Sequence, residues 1–149
     1  ETGDWILPAT MLTAEISADL AHNGSHSLRL GNENAADSDS SHSAAYYLVD
    51  IPEDAASTTL SFWYYPVSAD DAEGDTQGMI LYDPELDFYR RRILSGSSDE
   101  RAWVLENHDL SGFIGEQLAL YFYVEGDGDG RPTAMYVDEV SLQVCARQN

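Results

Sequence analysis

The sequence predicts an all-β protein, a jelly-roll β-sandwich of two antiparallel sheets. Apolar residues recur with a period of two along most of the chain, which is typical of strands with one buried face and one outward face. These runs are rich in Tyr, Val, Ile, Phe and Trp and end at clusters of Gly, Pro, Asp and Ser. No segment keeps a helical period over three turns. Regular strands separated by turns therefore favour a sandwich over a parallel sheet.

Nine strands are predicted, the first within residues 11–17. The other eight cover 26–31, 44–51, 58–67, 78–83, 87–94, 102–110, 116–125 and 133–144. Polar loops are predicted at 32–41, 68–77, 95–101 and 126–132. No internal repeat is present, and 149 residues suit one domain with a real core. We therefore assign residues 4–146 to a single module, and residues 1–3 resemble the scar that a secretion vector leaves.

Alternation along two strands places aromatic side chains outside the core. We expect Trp63 and Tyr65 to face outward from one strand, and Tyr121 and Tyr123 from another. The residues expected in the core from the same strands are Leu60, Phe62, Tyr64, Leu118, Leu120, Phe122 and Val124. Four aromatic rings on one sheet surface would suit stacking against sugars or anchoring an interface. The alternative is that loops fold over them and make a second small core.

Three consecutive arginines lie in the sixth predicted strand. Alternation puts Arg90 and Arg92 on one side of the strand and Arg91 on the other, with Tyr89. In so acidic a chain, pairing with neighbouring Asp and Glu is one expectation. The alternative is that the planar guanidinium contacts a carboxylate or a glycan, and Arg91 is the candidate for that role.

The charge balance limits the classes of partner. There are 27 acidic and 7 basic residues, all of the latter Arg, for a formal net charge of -20. Nucleic acid and anionic membrane surfaces are therefore poor partners, whereas divalent cations, basic proteins and neutral sugars remain open. No run of 18 apolar residues exists, so we expect no membrane insertion. The acidity itself fits either salt tolerance or function.

Two further features, a single cysteine and a glycosylation sequon, bear on whether the protein is secreted. Cys145 is the one cysteine, so it is either a buried small hydrophobe or half of a bridge to a part of the protein outside this sequence. Asn23-Gly24-Ser25 is a glycosylation sequon, which is consistent with a secretory route.

No catalytic motif is present. The four histidines, His22, His26, His42 and His108, are expected in loops or at strand edges. The sequence contains no G-x-S-x-G elbow, no H-E-x-x-H, no phosphate-binding loop and no dinucleotide fingerprint. We therefore expect that the chain is not an enzyme.

Two adjacent carboxylates interrupt the last predicted strand. Asp138 and Glu139 stand where the pattern expects burial, and a buried carboxylate is costly unless it is paired, hydrogen-bonded or bound to a metal. Calcium prefers such oxygen ligands. Because adjacent strand residues face opposite sides, either a bulge or a single ligand is implied. The acidic turn "EGDGDG" (125–130) is similar to the start of an EF-hand loop, but the twelfth position is Tyr136 where the last ligand belongs, so an EF-hand is not predicted.

The order of these segments resembles a bacterial extracellular jelly-roll module, similar to MAM domains and to galactose-binding-like carbohydrate-binding modules. The resemblance runs from about Trp5 to Cys145. Its most specific parts are "DLSGFIGEQLALYF" (109–122) and "MYVDEVSL" (135–142), with "AHNGSHSLRLG" (21–31) before them. Such modules are non-catalytic parts of secreted proteases, glycosidases or surface proteins. The resemblance implies an extracellular module of a larger secreted or surface protein that binds carbohydrate. The alternative is protein–protein adhesion, with an extracellular protein as the partner.

The resemblance also implies a structural calcium ion between the last strand and the loop before "SLRL". Asp138 would be a ligand, with Glu139 as an auxiliary. The loop residues that would assist are His22, Asn23, Gly24 and Ser25. These modules often begin with a Phe-Glu pair whose Glu completes the site. No such pair precedes Trp5, so Glu15 or Asp4 would have to replace it.

Overall fold

A computed structural model describes residues 5–10, 12–32, 40–69, 74–128 and 132–148. Its strands are β1 (Glu15–Ser17), β2 (Ser27–Gly31), β3 (Ser40–Asp50), β4 (Ala55–Ser68), β5 (Thr76–Asp83), β6 (Phe88–Gly96), β7 (Val104–Asp109), β8 (Gln117–Asp127) and β9 (Thr133–Ala146), with a 3₁₀ helix at Ser111–Phe113. Each predicted strand is present, and β3 starts four residues early. Residues 1–4 and large parts of three predicted loops lie outside the described residues.

The strands form two antiparallel sheets, as predicted. One sheet has five strands in the order β1-β2-β9-β4-β7, and the other has four in the order β3-β8-β5-β6. Most connections cross from one sheet to the other, which is typical of a jelly roll. The sheets pack face to face, so each has one face toward the core and one face away from it.

The core lies between β4 and β8. Phe62 and Phe122 are fully buried, and their rings meet edge to face with centroids 5.2 Å apart. The other side chains predicted to face inward from these strands are also buried or pack on the core, namely Leu60, Tyr64, Leu118, Leu120 and Val124. The alternation predicted for β4 and β8 is confirmed.

Alternation fails in β6, because two residues bulge out of its pairing with β5. The paired residues are Met79 with Leu94, Ile80 with Arg92, Leu81 with Arg91, and Tyr82 with Tyr89. Arg91 therefore pairs with the core-facing Leu81, while Arg92 and Tyr89 share the outward side. The predicted sides of Arg91 and Arg92 are wrong, because each bulge reverses the facing of the residues beyond it.

Two of the three consecutive arginines, Arg90 and Arg91, make contacts at the edge of the sandwich. Arg90 pairs with Glu116 and with Asp83, and Arg91 donates to the carbonyl oxygen of Asp109 at 3.1 Å. Both guanidinium groups lie over the ring of Phe113, at 5.3 and 4.9 Å from its centroid. The first of the two expectations, pairing with neighbouring acidic residues, is confirmed for Arg90.

A buried amide joins the two sheets at one end. Gln77 on β5 is 3% exposed. Its Nε2 lies 3.2 and 3.1 Å from the carbonyl oxygens of Val67 on β4 and Ala134 on β9, and 3.0 Å from that of Ser98. Its Oε1 accepts from the amide of Ser98 at 2.9 Å. A side chain of the four-stranded sheet thus contacts the backbone of two strands of the five-stranded sheet.

Cys145 is exposed on β9. The alternative of a buried small hydrophobe is therefore wrong for this residue.

Replacing Phe122 with alanine should test the core contact. We expect Phe122→Ala to lower the free energy of unfolding by about 3–5 kcal/mol, because it removes a buried ring and leaves a cavity. Leu86→Ala is the control: Leu86 is 69% exposed, so its truncation should change stability by less than about 0.5 kcal/mol. Urea denaturation measures both, and equal effects would contradict the assigned core.

Candidate functional site

The outer face of the four-stranded sheet carries a cavity of about 650 Å³. Its lining residues come from β3, β8, β5 and β6 and from the turn after β5: His42, Tyr46, Ile80, Tyr82, Pro84, Tyr89, Arg92, Ala119, Tyr121, Tyr123 and Glu125. Five of them are tyrosines. The size and the largely aromatic lining with a few polar groups are typical of a ligand-binding site.

The strand register arranges the floor of this cavity in transverse rows. In the central row Tyr46, Tyr121, Ile80 and Arg92 lie side by side across the four strands. The rows on either side are Leu48, Ala119, Tyr82 and Tyr89, and Ala44, Tyr123, Gly78 and Ser95. Because every second residue of a strand faces the same side, neighbouring rows lie about 7 Å apart.

Tyr121 is the centre of the aromatic floor. Its ring centroid lies 6.1 Å from that of Tyr46, 6.3 Å from Tyr82 and 6.2 Å from Tyr123. All four side chains are half-buried, so their rings are held by neighbours while part of each surface stays open. Such rings offer apolar faces for stacking and hydroxyl groups for hydrogen bonds.

The Tyr123 ring lies directly against Gly78, which has no side chain to exclude it. A Cβ atom at position 78 would overlap Cζ and the hydroxyl oxygen of Tyr123. Any larger residue at this position would therefore displace the ring, so glycine is required here by a close approach of a neighbouring side chain.

One end of the cavity is polar. The Nε2 of His42 lies 3.1 Å from the Tyr121 hydroxyl oxygen, and its Nδ1 lies 3.4 Å from the Glu125 carboxylate. The His42 ring also stacks over Tyr123 at a centroid distance of 6.3 Å. His42 was expected in a loop or at a strand edge, and it lies on β3, the edge strand of the four-stranded sheet, where it lines the cavity.

Burial raises the pKa of the Tyr121 phenol above its ordinary value of 10.0, and the negative charge of Glu125 adds to the effect. The hydroxyl is therefore protonated at neutral pH and can donate a hydrogen bond to a ligand.

The expectation that four aromatic residues share one surface is wrong. Tyr121 and Tyr123 lie on β8, but Trp63 and Tyr65 lie on β4 in the other sheet. Since each pair faces away from the core, the two pairs lie on opposite sides of the molecule. Alternation assigns a side chain to a face of its own strand, and it carries no information on which sheet that strand joins.

Tyr65 packs on a second small core, the alternative weighed from the sequence, and Trp63 lies beneath the ring of His22. The ring of His22 stacks on Trp63 at a centroid distance of 4.1 Å. Tyr65 contacts Trp103 at 5.5 Å and Tyr136 at 6.2 Å. Leu20, Val67 and Ala134 complete this group, the covered face. A ligand-binding role for Trp63 and Tyr65 stays a prediction, and the contacts described here support packing.

Asp138 and Glu139 both face the loop before β2, through a bulge. The pairing of β9 with β4 shifts between Ser61 and Trp63, and Glu139 has a φ of 51°. Oδ2 of Asp138 accepts from the backbone amides of His22 and Asn23 at 2.8 and 3.0 Å, and Oδ1 accepts from that of Glu139 at 2.8 Å. The predicted bulge is confirmed.

Glu139 binds the side chains of the same loop. Its carboxylate contacts the ring of His22 and accepts from the Asn23 amide at 3.2 Å. Together the two carboxylates hold the loop against β9, where His22 covers Trp63. The two acidic residues that interrupt the strand pattern therefore have hydrogen-bonding partners within the protein.

Four predicted calcium ligands, Asn23, Ser25, Asp138 and Glu139, line one cavity of about 950 Å³, and the fifth, Glu15, is not among its lining residues. Glu15 pairs with Arg29, the Ser25 hydroxyl lies 2.8 Å from Nδ1 of His26, and three amide groups point at Asp138. Within the described ranges, no three His, Cys, Asp or Glu side chains group closely enough to hold a metal ion. Asp4 lies outside those ranges. Calcium binding remains a prediction from the resemblance.

Arg91 was the candidate for a glycan contact, and the structure places it away from the cavity, at the Phe113 edge. Arg92 lies in the cavity instead. The sequence signal that could have identified the cavity was present in β3, where His42, Ala44 and Tyr46 alternate toward one face.

Comparison with known proteins supports the fold. No protein-family model and no curated protein matches the sequence. Among solved structures, a family 61 carbohydrate-binding module in complex with β-1,4-galactotriose superposes with a TM-score of 0.61 at 13% identity, covering 97% of this chain and 90% of that one. A xylan-binding domain of family 22 gives 0.60 at 20% identity, covering 100% and 92%.

A third structure, a family 22 xylan-binding domain from Paenibacillus barcinonensis, gives a TM-score of 0.58 at 14% identity, covering 99% and 89%. The chain therefore has the β-sandwich fold of these carbohydrate-binding modules. The likeness to MAM domains stays a prediction. The described residues contain no helix long and apolar enough to cross a membrane.

The substitution Asp138→Asn tests whether Asp138 stabilises the loop through hydrogen bonds or acts as a metal ligand. We expect it to lower the free energy of unfolding by about 1–3 kcal/mol, because an amide nitrogen would face backbone donors. The loss should be the same with calcium and with a chelator. Asp50→Asn, at an exposed position, should have no effect. A rise in Tm with calcium that Asp138→Asn abolishes would contradict this expectation and make Asp138 a ligand.

The raised pKa of Tyr121 predicts how stability depends on pH at the alkaline end. A group whose pKa is raised on folding contributes stability below its unfolded value, and loses it as pH rises through the folded value. We therefore expect the wild type to lose more stability above pH 10.0 than Tyr121→Phe. Denaturation at several alkaline pH values, with tyrosinate absorbance in parallel, measures the difference, and identical pH profiles would contradict it.

Proposed function

We propose that the protein is a non-catalytic carbohydrate-binding module, and that glycan binds in the cavity over β3, β8, β5 and β6. The observation that carries the proposal is the tyrosine floor centred on Tyr121. Apolar faces of sugar rings stack on such surfaces, while hydroxyl groups of the sugar find partners in the tyrosine hydroxyls, His42 and Glu125.

The floor is formed before any ligand arrives. Tyr121, Tyr123 and Tyr46 are each half-buried against their neighbours, so few side-chain rotamers have to be frozen on binding. Preorganisation of this kind favours a ligand made of repeated rings of similar shape. The similar solved structures bind xylan and β-1,4-galactotriose, which supports a polysaccharide as the ligand class.

The chemistry of the cavity supports binding without catalysis. Glycoside hydrolysis commonly uses two carboxylates on either side of the scissile bond. Among the described lining residues the carboxylate is Glu125, and it lies beside His42 at one end. As part of the same proposal, the module belongs to a larger secreted or cell-surface protein that it directs to a glycan.

A protein ligand is the second candidate. Leu48 and Tyr89 are exposed on the same face, and exposed apolar residues rimmed by polar ones also mark protein interfaces. In this alternative the module mediates adhesion. A soluble oligosaccharide that competes for the cavity would exclude it as the main role of this face.

Single substitutions on the two outer faces should identify the glycan-binding surface. We expect Tyr121→Ala to weaken polysaccharide binding at least about tenfold, since loss of a stacking ring and its hydroxyl removes about 1.4 kcal/mol or more. Trp63→Ala should lower Tm and leave the affinity of the folded protein unchanged. Affinity electrophoresis and calorimetry against xylan and β-1,4-galactan are the measurements. Loss of binding in Trp63→Ala with retention in Tyr121→Ala would assign the ligand to the covered face.

A further inference from the structure

Arg92 completes the central row of the cavity floor. It is exposed on β6, beside Ile80, and the same row continues through Tyr121 to Tyr46. A cation is thus placed at the edge strand, next to an aromatic surface that offers no charge of its own.

Most arginines of this chain are committed to partners. The described pairs join Arg29 to Glu15 and Asp19, Arg90 to Glu116 and Asp83, Arg101 to Asp99, and Arg91 to the carbonyl oxygen of Asp109. Arg92 has no ion pair or hydrogen bond with any residue in the described ranges. Arg147 likewise has no side-chain partner among those residues, but it lies beyond β9, whereas Arg92 lines the cavity.

The carboxylate that lines the same cavity is too distant to neutralise Arg92. Glu125 lies two strands away and two rows along β8, which from strand dimensions is on the order of 16 Å. This separation exceeds the screening length of about 8 Å at physiological salt. The cavity therefore has a positive end at Arg92 and a negative end at Glu125.

This polarity decides which glycans fit. A sugar that carries only hydroxyl groups gains little from a guanidinium, whereas a carboxylate matches its planar pair of donors. A carboxylate near Glu125 would be repelled, and the net charge of -20 disfavours a polyanion approaching as a whole. The cavity therefore favours one carboxylate per bound segment, on an otherwise neutral chain.

We infer that the ligand is a largely neutral polysaccharide with occasional uronic acid groups, and that Arg92 binds the uronate while the tyrosines stack on neutral rings. This inference rests on the proposed function, and it adds the substrate class and the residue that determines specificity.

The test compares two polymers that differ only in charge. The probes are a xylan bearing glucuronic acid side groups and the same xylan after its carboxyl groups are reduced to alcohols, together with a glucuronic-acid-substituted galactan treated in the same way. At 0.15 M salt, where charges are screened beyond about 8 Å, we expect wild type to bind at least one acidic polymer about tenfold more tightly than its reduced form.

Two variants assign that preference to Arg92. Arg92→Gln should bind the acidic and the reduced polymer equally, at the wild-type affinity for the reduced one. Arg147→Gln is the matched control, because it removes the same charge from an exposed position beyond β9 and should keep the full preference. Arg92→Lys should keep only part of it, since the charge remains and the planar fork is lost.

The outcomes separate the two proposals. Equal binding of acidic and reduced polymers by wild type would overturn the role of Arg92 and leave the carbohydrate-binding proposal standing. A preference that survives in Arg92→Gln would also overturn it. Tighter binding of polygalacturonate, which carries a carboxylate on every ring, would overturn the inferred spacing of charges. If wild type bound none of these polymers, both proposals would fail.

Discussion

The edge-to-face contact of Phe62 with Phe122 is the constraint on which the two outer faces depend. Each ring lies on the central part of its sheet, and side chains alternate along a strand. Once both rings point inward, Trp63 must point out of one sheet and Tyr121 and Tyr123 out of the other. A single buried contact therefore determines the facing of the aromatic cavity and of the covered face, although neither lies in the core.

The two outer faces differ because only one of them has a loop held over it. Asp138 and Glu139 bring two carboxylates to one side through the bulge in β9, and they bind the loop that carries His22 over Trp63. The tyrosine face has no such attachment among the described residues. The acidic pair that disturbs the strand pattern thus closes one aromatic surface, and the other remains accessible to a ligand.

Local pattern was sufficient for part of the structure. Period-two alternation located the nine strands and the inward residues of β4 and β8, and the adjacent Asp138 and Glu139 indicated a bulge. This pattern could not predict which strands pair, because pairing within a sheet depends on contacts between residues that are distant in sequence. Trp63 and Tyr121 were therefore placed on one surface. In β6 the predicted sides of Arg91 and Arg92 were wrong because of two bulges. Neither bulge is marked in the sequence by a glycine or an acidic pair, so neither could be predicted. The cavity residues of β3 also alternate in the sequence, but the sequence does not show that β3 pairs with β8, so their place in a cavity could not be predicted.

Gln77 has a consequence for how the two sheets stay together. Its buried amide reaches backbone carbonyls of β4 and β9 from β5. Opening the sandwich at this end would exchange these hydrogen bonds for hydrogen bonds to water, at a net cost of about 0.5–1.5 kcal/mol each. Separation of the two sheets at this end therefore requires the loss of the hydrogen bonds of Gln77, so one polar side chain couples the packing of β5 to that of β4 and β9.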